Sequence, residues 1–152
     1  MGIYRKSETD MKIRKKKFEP KLRTIENKLW ALCRQLTFRA HGTDCYTCNQ
    51  KNLKGKNLQC GHGYSKGALG ASMKYDLRIL KPQCFNCNIN FGGMGVVFWK
   101  NLETELGKEN ADKLYQECRA SKGLPIKARP FYLELIKKYE ELLKNAKPEI
   151  PL

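Results

Sequence analysis

No apolar run in the 152-residue chain approaches the roughly 18 residues of a membrane-spanning helix. The basic N-terminus also lacks the apolar stretch of a secretory signal, so a cytoplasmic home with reduced thiols is expected. No internal repeat is evident, and none of the helical stripes resembles a cofactor box; no small-molecule substrate is expected. Acidic residues are scarce, 15 Asp and Glu against 30 Lys and Arg, which leaves a net charge of +15. Such an excess points to a polyanionic partner, because each phosphate it neutralises releases condensed counterions. A membrane surface fits less well, since no helix sets a broad apolar face against a lysine-rich one. Histidine is scarcer still: the chain has two, His41 and His62.

Cysteine is plentiful by contrast, with seven residues. Four of them form the pairs Cys45-Tyr-Thr-Cys48 and Cys84-Phe-Asn-Cys87, a spacing that favours metal over disulfides in a reducing compartment. Cys45, Cys48, Cys84 and Cys87 can offer four thiolates in a tetrahedral array. That is the closed coordination of a structural zinc, a scaffold with no open position for catalysis. A simple zinc ribbon separates its pairs by roughly 15–20 residues. Here residues 49–83 intervene, long enough to carry a functional element that includes Gln59-Cys60-Gly61-His62. Cys33, Cys60 and Cys118 lack a C-x-x-C partner and read as small buried apolar residues.

Residues 1–20 form a basic arm in which Lys12, Arg14, Lys15, Lys16 and Lys17 are the candidate phosphate contacts. Residues 21–146 read as one α+β domain and 147–152 as a tail. Leu22, Ile25, Leu29, Leu32 and Leu36 recur at helical spacing over 21–39. Gly42 is suited to cap that helix, with His41 at its exit. Residues 57–62 read as a strand, 63–72 as a small-residue loop, and 75–80 as a second strand ended by Pro82. The second cysteine pair should begin a helix that Gly92, Gly93 and Gly95 interrupt. Apolar stripes at Val97, Phe98, Leu102 and Leu106, then at Ala111, Leu114, Tyr115 and Cys118, predict two more helices. A breaker at 123–125 precedes a last helix that Pro130 opens.

His62, on a short strand beside the cysteine pairs of a basic protein, suggests phosphodiester hydrolysis. A neutral imidazole can take the proton of a water attacking phosphorus. A hard divalent ion, magnesium or manganese, would stabilise the developing charge, and Asn88 offers an amide oxygen right after the last cysteine. The plainer alternatives are a hydrogen-bonded strand histidine and an amide that satisfies backbone at a helix terminus.

At these residues the chain resembles the NinG (Rap) recombination proteins of lambdoid phages. Cys45-Tyr-Thr-Cys48, Gln59-Cys-Gly61-His62, Ser65-Lys66-Gly67, Lys74-Tyr75-Asp76 and Gln83-Cys84-Phe-Asn-Cys87-Asn88 follow that family's order, and the likeness spans about residues 25 to 145. The resemblance implies a zinc-stapled ββα-metal (HNH-like) core with flanking α-helices. It also implies metal-dependent, structure-selective cleavage of branched DNA such as D-loops and four-way (Holliday) junctions, in the host cytoplasm if the gene is phage-borne. The C-x-x-C-N ending is also similar to the phage resolvase endonuclease VII. There the residue matching Asn88 helps hold the catalytic metal, and the one matching His62 belongs to the active site.

Three positions depart from the HNH pattern. Gly61 stands where many such nucleases place a metal-binding Asp, Ile79 where the middle Asn falls, and Asn90 where a later family His falls. Asp76 is the favoured replacement carboxylate. Lys66, Arg78 and Lys81 are the nearest cations for the DNA backbone, contacts that position without reading sequence. Two other classes compete with the nuclease: a non-catalytic zinc module that binds junction DNA, and a zinc-bearing protein adaptor. Oligomeric state is open, a homodimer included.

Overall fold

The computed structural model describes residues 19–122 and 129–144. The basic block at 12–17, the breaker at 123–125 and the tail at 147–152 lie outside the described residues.

The predicted first helix is α1, Leu22–His41, and its buried face is Ile25, Leu29, Leu32, Cys33, Leu36 and Thr37. That spacing keeps one stripe turned inward over five turns. Gly42 ends it at φ 76, donating its N–H to Phe38 O at 2.9 Å, a backbone angle glycine adopts at no steric cost. Helix α5, Arg129–Lys144, packs along α1 through Tyr132, Ile136 and Tyr139. Pro130 stands in its first turn, where a missing N–H costs nothing. Burial of each large side chain in this layer is worth about 1.5–3 kcal/mol. Tyr139 Oη also donates to Tyr75 O at 2.6 Å, tying α5 to the loop that leads into the second strand.

Strands β1, Leu58–His62, and β2, Leu80–Cys84, form one antiparallel pair in which Cys60 faces Pro82 and His62 faces Leu80. The second strand is therefore not 75–80. A short helix α2, Ala71–Lys74, is followed by a single tight helical turn over residues 77–79, with Asp76 Oδ1 accepting from Arg78 N at 2.9 Å, and the strand begins where that turn ends. Pro82, expected to stop the strand, sits in its middle. Its carbonyl points away from β1 and accepts from Tyr46 N at 2.8 Å. The position of its absent N–H points the same way, so the ladder loses nothing.

The segment after Cys84 is helical, as expected, but only as one wide turn over Asn86–Asn90. Gly92 and Gly93 then take φ of 61 and 86. Gly95, expected as a further break, instead opens α3, Gly95–Leu106. Gly107 at φ 81 turns the chain into α4, Lys108–Ala120. These two helices bury Phe98, Leu102, Ala111, Leu114 and Cys118. The architecture is α+β, a small hairpin among helices. Among the described residues no helix is long and apolar enough to cross a membrane.

Candidate metal centre and histidine cleft

The two cysteine pairs converge. The sulfurs of Cys45, Cys48, Cys84 and Cys87 all lie within 4.8 Å of one another. Cys45 and Cys48 come from the turn after α1, Cys84 from the end of β2 and Cys87 from the turn that follows. Backbone donors already face the sulfurs: Cys84 N reaches Cys45 Sγ at 3.2 Å, and Cys87 N reaches Cys84 Sγ at 3.4 Å. Burial opposes ionisation of Cys45, but hydrogen bonds from Thr47 and from nearby backbone N–H groups outweigh it and bring its pKa down to about 6. Burial pushes Cys87 up to about 12. A cation among these sulfurs favours the thiolates and releases their protons. Four such ligands, three of them buried, could hold a structural metal such as zinc.

His62 ends β1 and stacks on Trp30 of α1, ring centroids 5.2 Å apart and planes 3° from parallel. Its Nε2 lies 2.9 Å from Lys74 O. A carbonyl only accepts, so Nε2 carries the proton and Nδ1 is the bare nitrogen of the neutral ring. Burial lowers the His62 pKa to about 4; the bond to Lys74 O opposes this, and the charges of Lys66 and Lys74 add to it. The ring is therefore a proton acceptor at neutral pH. A phosphate arriving beside it would raise that pKa and make it a better base.

A cleft of about 500 Å³ opens beside His62, lined among others by Trp30, Arg34, Lys66, Asn88 and Gly93. Among the described residues no Asp or Glu lines it. Lys66 Nζ stands 4.8 Å over the Trp30 ring, and burial followed by the charge of Lys74 lowers its pKa. Asn88, half-buried, makes no side-chain hydrogen bond among the described residues.

Gly61 explains why no carboxylate can stand before the histidine. A Cβ there would lie 1.8 Å from Gln83 Oε1 and 3.1 Å from Asn88 Oδ1. Gln83 is fully buried, its Nε2 fixed on Thr47 Oγ1 at 3.1 Å and Gly93 O at 2.9 Å. That leaves Oε1 without a partner among the described residues. The amide oxygen of Gln83 thus fills the volume a side chain at 61 would need.

The other residues singled out in the sequence are elsewhere. Asp76 grips Arg78 with both carboxylate oxygens, and Arg78 reaches on to Glu117 at 2.6 Å. Neither residue lines the His62 cleft. Lys81 is only 2% exposed; its Nζ meets Glu105 at 2.5 Å and His41 Nε2 at 3.3 Å. Of the three cations nearest the motif, Lys66 alone faces His62. Burial and then the Lys81 charge lower the His41 pKa to about 4, so it serves at the end of α1 as a neutral acceptor. Ile79 is core, and Asn90 bonds Asn86 Oδ1 at 2.7 Å. Cys33, Cys60 and Cys118 are buried as expected, with burial raising all three thiol pKa values.

Trp30 and Arg34 are site residues that motif reading passed over, and Gln83 stood in the last motif without an assigned role. Trp30 and Arg34 lie four apart on α1 and hence on one face of it. That spacing was visible, but its direction was not. Comparison of the chain with protein-family models, curated proteins and solved structures yields no match.

Proposed function

We propose that the chain is a metal-dependent, HNH-like endonuclease acting on branched DNA intermediates of phage recombination. The observation that carries the reading is His62: its Nε2–H is held by the Lys74 carbonyl, and its ring, neutral at pH 7, lines a cationic cleft beside Asn88. Arg34 and Lys66 hold the non-bridging oxygens of a backbone phosphate. Nδ1 of His62 takes a proton from water as the new oxygen–phosphorus bond forms and the old one breaks, and the leaving alkoxide is reprotonated from solvent. The four cysteines carry zinc, which pins β1 near the turn bearing Asn88.

A magnesium or manganese ion fits this donor set only in part-protein form. Such ions keep several waters and are usually held by one or two carboxylates together with substrate phosphates; among the described residues this cleft offers an amide in place of a carboxylate. The free amide oxygen of Asn88 would be the ligand from this chain. When bound, the ion supplies charge stabilisation to the phosphoryl group. Asp76, committed to Arg78, has no place in that role.

One observation favours a second reading, a non-catalytic module that binds DNA junctions: among the described residues no carboxylate lines the cleft, and position 61 has no room for one. Nicking of synthetic four-way junctions with magnesium or manganese separates the two. His62→Ala should lower the cleavage rate about 10²–10⁴-fold while metal content and junction affinity stay near those of the unmodified protein. Equal cutting by His62→Ala at saturating metal would refute the mechanism. Binding without any cutting by the unmodified chain would favour the module.

A further inference from the structure

A second cavity of about 570 Å³ adjoins the His62 cleft and has the opposite chemistry. Among the described residues its walls include Tyr64, Trp99 and Tyr115, with Lys100, Glu103 and Asp112, the last paired with Lys108 at 3.5 Å. The rings brace one another edge to face: Trp99 and Tyr115 centroids are 5.0 Å apart at 87°, Tyr64 and Tyr115 5.5 Å apart at 64°. Residues 63–65 and Gly95 line both cavities, so one ligand can run from one into the other. Trp99 Nε1 donates to Gly63 O, which ties the aromatic wall to the strip between them. Gly63 is forced to be glycine, since a Cβ would meet the Phe98 ring at 2.6 Å. The strip between the cavities therefore carries no side chain at that residue.

We infer that this cavity receives an unpaired nucleobase next to the phosphate held by Arg34 and Lys66. The inference rests on the proposed DNA reading and names the part of the substrate that reading left open. A phosphate gains little here, because Lys108 pairs with Asp112 at 3.5 Å and the Glu103 carboxylate offsets Lys100. A base is favoured: its faces can lie against aromatic walls, and its exocyclic amines can donate to Glu103 or Asp112. Base-paired DNA keeps those faces stacked and hidden, whereas an unpaired nucleotide at a branch point is the cheapest to extrude. The cavity thus rewards discontinuity in the duplex without reading its sequence.

The test uses the full chain and a duplex with one unpaired 2-aminopurine nucleotide, beside the same duplex abasic at that position and a continuous duplex. Binding should quench the 2-aminopurine fluorescence, and the base-bearing DNA should bind about 5- to 150-fold more tightly than the abasic one. Tyr115→Leu, and separately Glu103→Gln on the cavity wall, should lower that ratio, with continuous-duplex affinity unchanged for the first and raised only slightly for the second, which removes one negative charge. Agreement of the two variants removes misfolding as an explanation. Equal affinity for base-bearing and abasic DNA, with unquenched fluorescence and duplex binding intact, would overturn the inference alone. Absence of binding to all three DNAs would overturn the DNA reading and this inference with it.

Discussion

The α1–α5 layer and the cysteine centre hold the same hairpin by different physics. The layer buries Ile25, Leu29, Leu36, Tyr132 and Ile136 in a continuous apolar core. The cysteine side has a core of Cys45, Leu53, Cys84 and Cys87 with Leu58 and Met94 partly buried against it, built on turns rather than on long elements. So little apolar area cannot offset the ordering of its own backbone, which costs about 1–2 kcal/mol per residue. Where burial falls short, a metal held by the four sulfurs would supply the difference. His62 and Asn88 sit on this seam, His62 leaning on α1 and Asn88 carried by the cysteine turn.

Breaking the metal side should have the largest effect. Structural zinc in small domains supplies an apparent 10–16 kcal/mol or about that. Cys84→Ser, or a strong chelator, should release the metal and unfold residues near 45–60 and 84–94. Amide hydrogen exchange should still show protection in α1 and α5. Loss of protection everywhere at once would mean the two regions are a single cooperative unit.

Leu29→Ala tests the other side. A fully buried leucine at the centre of the layer should cost about 2–5 kcal/mol. Thermal unfolding should shift down with the bound metal per chain unchanged.

A smaller and sharper effect is expected on the seam. Gly61→Ala drives a methyl into Gln83 Oε1 and should destabilise the hairpin by about 1–3 kcal/mol. Gln83→Ala alone gives up its bonds to Thr47 and Gly93. The double variant should be more stable than the sum of the two costs, because the space one residue needs is vacated by the other. Strict additivity in denaturant titrations would show that the two residues do not share that volume.

Acid should weaken the α1 side gradually. His41 and His62 both have folded pKa values lowered to about 4 by burial, against an ordinary value near 6.5. Between those limits the unfolded chain binds more protons than the folded one. Stability is therefore full above about pH 6.5 and is lost as pH falls toward 4. Melting temperature measured across that window should decline, and His41→Asn should flatten the decline without altering metal content. An unchanged slope would mean that His41 is solvated in the folded state.

The local features of this fold were legible because they depend on near neighbours in the chain. The α1 stripe, the Gly42 exit, the Pro130 start and both C-x-x-C pairs each follow from residues a few positions apart. Pro82 was misjudged for the same reason. A proline looks like a strand breaker until a partner outside the hairpin, Tyr46 N–H, shows which side its carbonyl faces. Asp76 read as a free carboxylate because nothing in its spacing shows that Arg78 and Glu117 close around it.

The sequence alone therefore determined the helix stripes, the cysteine quartet and the histidine with its neighbouring asparagine, since periodicity and short spacing are properties of the chain. Tertiary structure decided what surrounds them. It set Trp30 and Arg34 beside His62, sent Lys81 into a part-buried ion pair with Glu105, and put the Gln83 amide where a side chain at 61 would stand. Charge and shape at a site come from elements distant in sequence, and only packing fixes which side chains meet and which are consumed by one another.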